Sequence, residues 1–119
     1  MGDRANIKVT GVGDVYLYTH WSGEELPETL KAALARGKAR WDDPQYLSRI
    51  IFCEMVKGQE RDCTGYGISG ECGDGDDRVL TVDGVKQTVV WPDGTVLSFA
   101  DYVALAEATW TAPSAGCQP

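Results

Sequence analysis

Several groups of residues in this chain have the types and spacing to do chemistry. His20 is the only histidine and sits within Tyr16-Leu17-Tyr18-Thr19-His20-Trp21. An imidazole at the end of a β run could act as a general base or as a donor to an anion. Its plainer role is a ring packed on Trp21 with both nitrogens satisfied locally. Arg40-Trp41 and Arg49 form a second group. Guanidinium forks hold carboxylates and phosphates through paired hydrogen bonds, and an indole offers a stacking face. Beside Tyr16, Tyr18, His20 and Trp21, they would make an aromatic, cationic pocket for a nucleotide-like anion. Against this stands the ordinary case, in which Trp41 staples the helices and both arginines pair with Asp42, Asp43 or Glu54.

The cysteines point away from a metal. Cys53, Cys63, Cys72 and Cys117 contain no Cys-x-x-Cys pair, so neither a zinc site nor any other cofactor is expected. Cys53 fits as a small apolar filler, and Cys63 and Cys72 fit free thiols better than a disulfide. Glu71-Cys72-Gly73-Asp74-Gly75-Asp76-Asp77 lacks the spacing of a calcium loop and suits a solvated hairpin loop instead. Its carboxylates, Glu71, Asp74, Asp76 and Asp77, are the candidates for meeting a basic partner. Gly65-Tyr66-Gly67 would allow a close backbone approach, but no phosphate-binding helix follows it. Neither a Walker pattern nor a nucleophile elbow is present.

These residues must be positioned by a small set of elements. Ile7–Thr10 and Val15–Thr19 alternate as two strands around Gly11-Val12-Gly13-Asp14, which predicts a hairpin. Leu26, Leu30, Ala33 and Leu34 fall at helical spacing, with Pro27 in the first turn and Gly37 at the expected C-terminal glycine position. A second helix has Asp43 as N-cap, Pro44 at its first position and an apolar stripe of Leu47, Ile50, Ile51 and Met55. Gly65–Ser69 then predicts a short strand. Val79–Val82, Val85–Trp91 and Thr95–Leu97 predict a three-stranded meander, turning at Asp83-Gly84 and Pro92-Asp93-Gly94. Ser98 caps a last helix carrying Tyr102, Val103, Leu105 and Ala106, with Asp101 as its capping-box partner. The expected architecture is α+β: one domain over residues 1–110, an antiparallel sheet with its helices on one face, and a loose tail over 111–119.

Charge narrows the function classes. Residues 1–58 hold eight Lys/Arg against eight Asp/Glu; residues 59–119 hold three basic groups against ten acidic ones, which is the whole net charge of −7. The acidic half cannot neutralise phosphates, so direct nucleic-acid binding is not expected, and an anionic membrane surface would repel it. No apolar run approaches a membrane span, and no signal-peptide core follows Met1. A soluble cytoplasmic protein is the expectation.

The wording Tyr16-Leu17-Tyr18-Thr19-His20-Trp21, Arg40-Trp41-Asp42-Asp43 and Thr64-Gly65-Tyr66-Gly67-Ile68-Ser69 resembles a family of small bacterial and phage proteins with no settled activity. The resemblance covers about residues 7–90. It implies a complete, phage-borne small protein and carries no catalytic residue with it.

Three functions are compatible with these features. The favoured one is a non-enzymatic binder that modulates a host or defence system. It would either sequester an anionic nucleotide-like ligand at Tyr16, Tyr18, His20, Trp21, Arg40, Trp41 and Arg49, or cap a basic protein surface with its acidic half. A small hydrolase or nucleotide-processing enzyme would use His20 as base with Arg40 or Arg49 steadying an anion. A self-associating module would pair through an exposed strand edge. The observation that separates them is whether His20, Arg40 and Arg49 share one cleft.

Overall fold

The N-terminal hairpin forms as its alternation predicts. In the computed structural model, which describes residues 2–11, 13–72 and 75–113, β1 (Ala5–Thr10) pairs antiparallel with β2 (Val15–Thr19). Ile7 lies opposite Leu17, and Lys8 opposite Tyr16. Period-two geometry sends Ala5, Ile7, Val9 and Leu17 to one face, where all four are buried. Asn6, Lys8, Tyr16 and Tyr18 take the other.

Helix α1 (Leu26–Arg36) and helix α2 (Pro44–Met55) follow, joined through a 3₁₀ turn at Lys38–Arg40. The Asp43 side chain caps α2 by accepting the Tyr46 backbone N–H at 3.3 Å. Gly37 ends α1, but with an ordinary φ of −95°. A Cβ there would meet the Ile50 side chain at 3.3 Å, so the glycine serves the close approach of the two helices and not a left-handed cap.

The remaining strands are β3 (Tyr66–Ser69), β4 (Val79–Asp83), β5 (Thr88–Val90) and β6 (Val96–Ser98), before helix α3 (Phe99–Val103). They complete one six-stranded sheet of order β3-β2-β1-β4-β5-β6. The sheet is mixed, which corrects the antiparallel expectation: β4 runs parallel to β1, with Ile7 opposite Leu80 and Val9 opposite Val82. The connection from β2 to β4 contains both long helices, and such a crossover is what a parallel pair requires. β3 meanwhile takes the other side of β2 and makes one edge of the sheet.

The strand expected over Val85–Trp91 is shorter. Asp83 Oδ1 accepts the N–H groups of both Val85 and Lys86 at 3.0 Å, which extends the turn through Gln87 at a φ of 56°. Ser98 caps α3 through the Asp101 N–H at 3.1 Å, but the helix ends at Val103, so Leu105 and Ala106 lie beyond it. The chain after α3 is pinned: Trp91 Nε1 donates to the Thr109 carbonyl at 2.9 Å and Trp110 Nε1 to that of Gly23 at 2.7 Å. Of the predicted tail, Ala112 packs on the core, and residues 114–119 lie outside the described residues.

One apolar core results. Leu26, Leu30 and Leu34 of α1, with Leu47 and Ile51 of α2, pack on Ile7, Val9, Leu17, Leu80, Val82 and Val89. Trp91, Phe99 and Tyr102 fill its far end. The opposite sheet face, bearing Thr81, Asp83 and Thr88, is only partly covered.

Candidate functional site

The open face holds a groove of about 470 Å³ over β2 and β3, within the range of small-ligand sites. Strand alternation puts Tyr16 and Tyr18 on this face together. Register then sets Ser69 opposite Tyr16 and Gly67 opposite Tyr18. Asn6, from the central strand, is fully buried and forms part of the lining. Ile68, Glu71 and Cys72 complete the rim.

Gly67 leaves the space above β3 open. A Cβ there would lie 3.9 Å from the Tyr18 ring, an ordinary contact, so the position tolerates a side chain at the cost of groove volume. Glu71 supplies the only charged side chain of the lining among the described residues, and Ser69 Oγ accepts its backbone N–H at 3.1 Å, fixing where the loop leaves the strand. Burial pushes the Cys72 thiol above its usual value; Asp76 adds to the rise and Lys8 opposes it. The acidic loop and the groove are therefore one neighbourhood.

His20 stands at the end of β2, outside this lining. Its Nδ1 is 2.8 Å from the Tyr18 hydroxyl and accepts from Arg4 Nε at 3.3 Å. Because a guanidinium only donates, Nδ1 must be bare and the ring proton sits on Nε2. Tyr18 then donates as well. Trp21 packs edge-on against the ring at 4.7 Å between centroids. Nδ1 is thus satisfied by two side chains of the same chain, Tyr18 and Arg4.

The remaining predicted residues belong to the helix layer. Trp41 is a staple, donating to the Leu34 carbonyl at 2.9 Å and meeting Phe99 edge-on. Arg40 lies 4.7 Å from the Tyr46 ring centroid, and Arg49 reaches Cys53 on its own helix, at 3.9 Å. The expected partner Glu54 pairs with Arg36 at 3.1 Å. The seven-residue pocket read from the sequence thus divides. Tyr16 and Tyr18 line the groove and His20 and Trp21 adjoin its end, while Arg40, Trp41 and Arg49 stand across the sheet.

Of the acidic candidates, Glu71 lines the groove, Asp76 is exposed and acts on Cys72 at its rim, Asp77 is exposed, and Asp74 lies outside the described residues. Cys53, Cys63 and Cys72 are exposed, unpaired thiols. Among the described residues, no group of three His, Cys, Asp or Glu is placed to hold a metal, and no helix is long and apolar enough to cross a membrane. Sequence reasoning missed Asn6, Ile68, Ser69 and Cys72 as lining residues, and read Gly67 only as a place of close backbone approach. The alternation in Gly65–Ser69 carried a signal for Gly67 and Ser69, but only the β2–β3 pairing sets them beside the tyrosines.

No protein-family model, curated protein or solved structure matches the chain.

Proposed function

We propose that the chain is a non-catalytic binding protein that caps a basic surface of a partner protein, using the open-face groove and its acidic rim. The observation that carries this is the composition of the groove: two tyrosine rings with Glu71 as the only charge in the lining among the described residues. Aromatic faces and a carboxylate attract cations. The basic groups on this face are already engaged, Lys8 with Asp14 at 3.6 Å and Arg4 with His20. A nucleotide-like anion would need the guanidinium groups of Arg40 and Arg49, which stand on the other side of the sheet. Against a hydrolase, His20 has Tyr18 and Arg4 on its Nδ1, and Arg40 and Arg49, the groups that would steady an anion beside it, belong to the helix layer.

The test is calorimetric titration of the whole chain with a short peptide rich in arginine and lysine, beside a panel of nucleotides and cyclic nucleotides. Binding of the peptide that weakens steeply with added salt is the expected result. Glu71→Gln combined with Asp76→Asn should cost roughly fivefold or more in affinity, about 1 kcal/mol. Nucleotide binding without peptide binding would overturn the proposal.

A further inference from the structure

We infer that the groove is a pocket for one arginine side chain of the basic partner, its guanidinium set against Tyr16 and Tyr18 and ending on Glu71. The inference rests on the basic-surface reading above and adds the identity of the residue that enters.

The first argument is spacing. Tyr16 and Tyr18 are two residues apart on one strand face, so their Cα atoms are roughly 6–7 Å apart. That is about twice a van der Waals contact of 3.5 Å, room for one flat group touching both rings. The Tyr18 hydroxyl bonds to His20, just past the end of β2, which anchors the tip of this ring on the side away from Tyr16. Gly67, opposite Tyr18, carries no side chain to fill the space below.

The second argument is chemistry. A carboxylate receives a guanidinium through two parallel hydrogen bonds, and a guanidinium stacks on aromatic faces with less dehydration cost than an ammonium. Tyr16 already draws a cation, since Lys8 Nζ lies 5.7 Å from its ring centroid. Lys8 is held by Asp14, whereas Glu71 forms none of the described ion pairs. Among the described residues the charged groups around the pocket are Glu71 in its lining and Asp76 near Cys72, with Lys8 paired to Asp14 and Arg4 bonded to His20 at its end.

The test uses the full chain and three short peptides identical except for one central residue: arginine, lysine or citrulline. The arginine peptide should bind about tenfold more tightly than the lysine peptide, and the uncharged citrulline peptide weakest of all. Glu71→Gln should bring the arginine peptide down to the citrulline level, and Gly67→Val, tolerable in a strand, should abolish binding by filling the groove. Circular dichroism confirms that each variant is folded. The arginine peptide should also slow alkylation of Cys72, a readout that needs no variant. Equal affinity for arginine and lysine, or indifference to both substitutions, overturns this inference and leaves the basic-surface proposal standing. Failure of every basic peptide overturns both.

Discussion

Tyr102 is fully buried, yet its hydroxyl is satisfied, donating to the Pro27 carbonyl at 2.7 Å. Burial, with Glu28 adding to it, pushes its phenol well above the ordinary tyrosine value, so it stays neutral. Tyr102→Phe removes a donor while leaving a carbonyl behind, and should cost about 1–2 kcal/mol in urea unfolding. An unchanged midpoint would mean that water replaces the hydroxyl. Cys72 offers a second test at this scale. Its thiol is pushed up by burial first and by Asp76 next, with Lys8 pulling the other way. Less thiolate at neutral pH means slower alkylation than a solvated thiol undergoes. Asp76→Asn should speed modification of Cys72, read by mass spectrometry of the labelled peptide, and no change would show that burial alone sets the rate.

Among the elements, the parallel contact of β1 with β4 decides the architecture, and it depends on a glycine chosen for space. Gly84 follows β4, and its N–H bonds to the Thr10 carbonyl at 3.0 Å. A Cβ at Gly84 would fall 2.6 Å from Pro44 Cγ and 3.0 Å from that same carbonyl. The end of β4 is thereby packed onto the N-terminus of α2. Gly84→Ala should destabilise the protein by about 1–3 kcal/mol in chemical denaturation, the usual range for overpacking. Gly94→Ala supplies the contrast, since a Cβ there meets nothing within 4 Å and its φ of 93° is the sole source of strain. The same glycine marks what was legible. Asp83-Gly84 announced a turn, and the caps at Asp43 and Ser98, the hairpin and both long helices follow from local signals. What stayed hidden depends on pairing between distant segments: β1 with β4, and β2 with β3, which creates the groove. Tyr16 and Tyr18 could be placed on one face by alternation. No local signal could tell that Arg40 and Arg49 would lie across the sheet from them.

For the molecule as a whole, the segment before β1 and the segment around Trp110 meet at Arg78. Its guanidinium bonds the Asp3 carboxylate and the Arg4 carbonyl, lies 3.6 Å from Glu24, and sits 5.6 Å from the Trp110 ring centroid. Asp3 also accepts the Glu24 N–H at 2.9 Å, and Gly23 sits so close that a Cβ would strike Arg78 Nη2. One side chain thus ties Asp3 and Arg4, the approach to α1 and the segment around Trp110 to the start of β4. It also fixes the backbone of Arg4, whose side chain holds His20 at the end of the groove. The Arg78 hydrogen bond, then that from Glu24, holds the Asp3 carboxyl below its usual value. A carboxyl that ionises more readily when folded contributes stability above its unfolded value, and loses it as pH falls through the lower folded value. Asp3→Asn should therefore be less stable than the natural chain by a constant margin from neutral pH down to the ordinary carboxylate range. Below that range the margin should shrink and vanish. Unfolding midpoints of the two proteins across an acid series test this, and a margin that survives in strong acid would assign the clasp to packing on Trp110 instead of to charge.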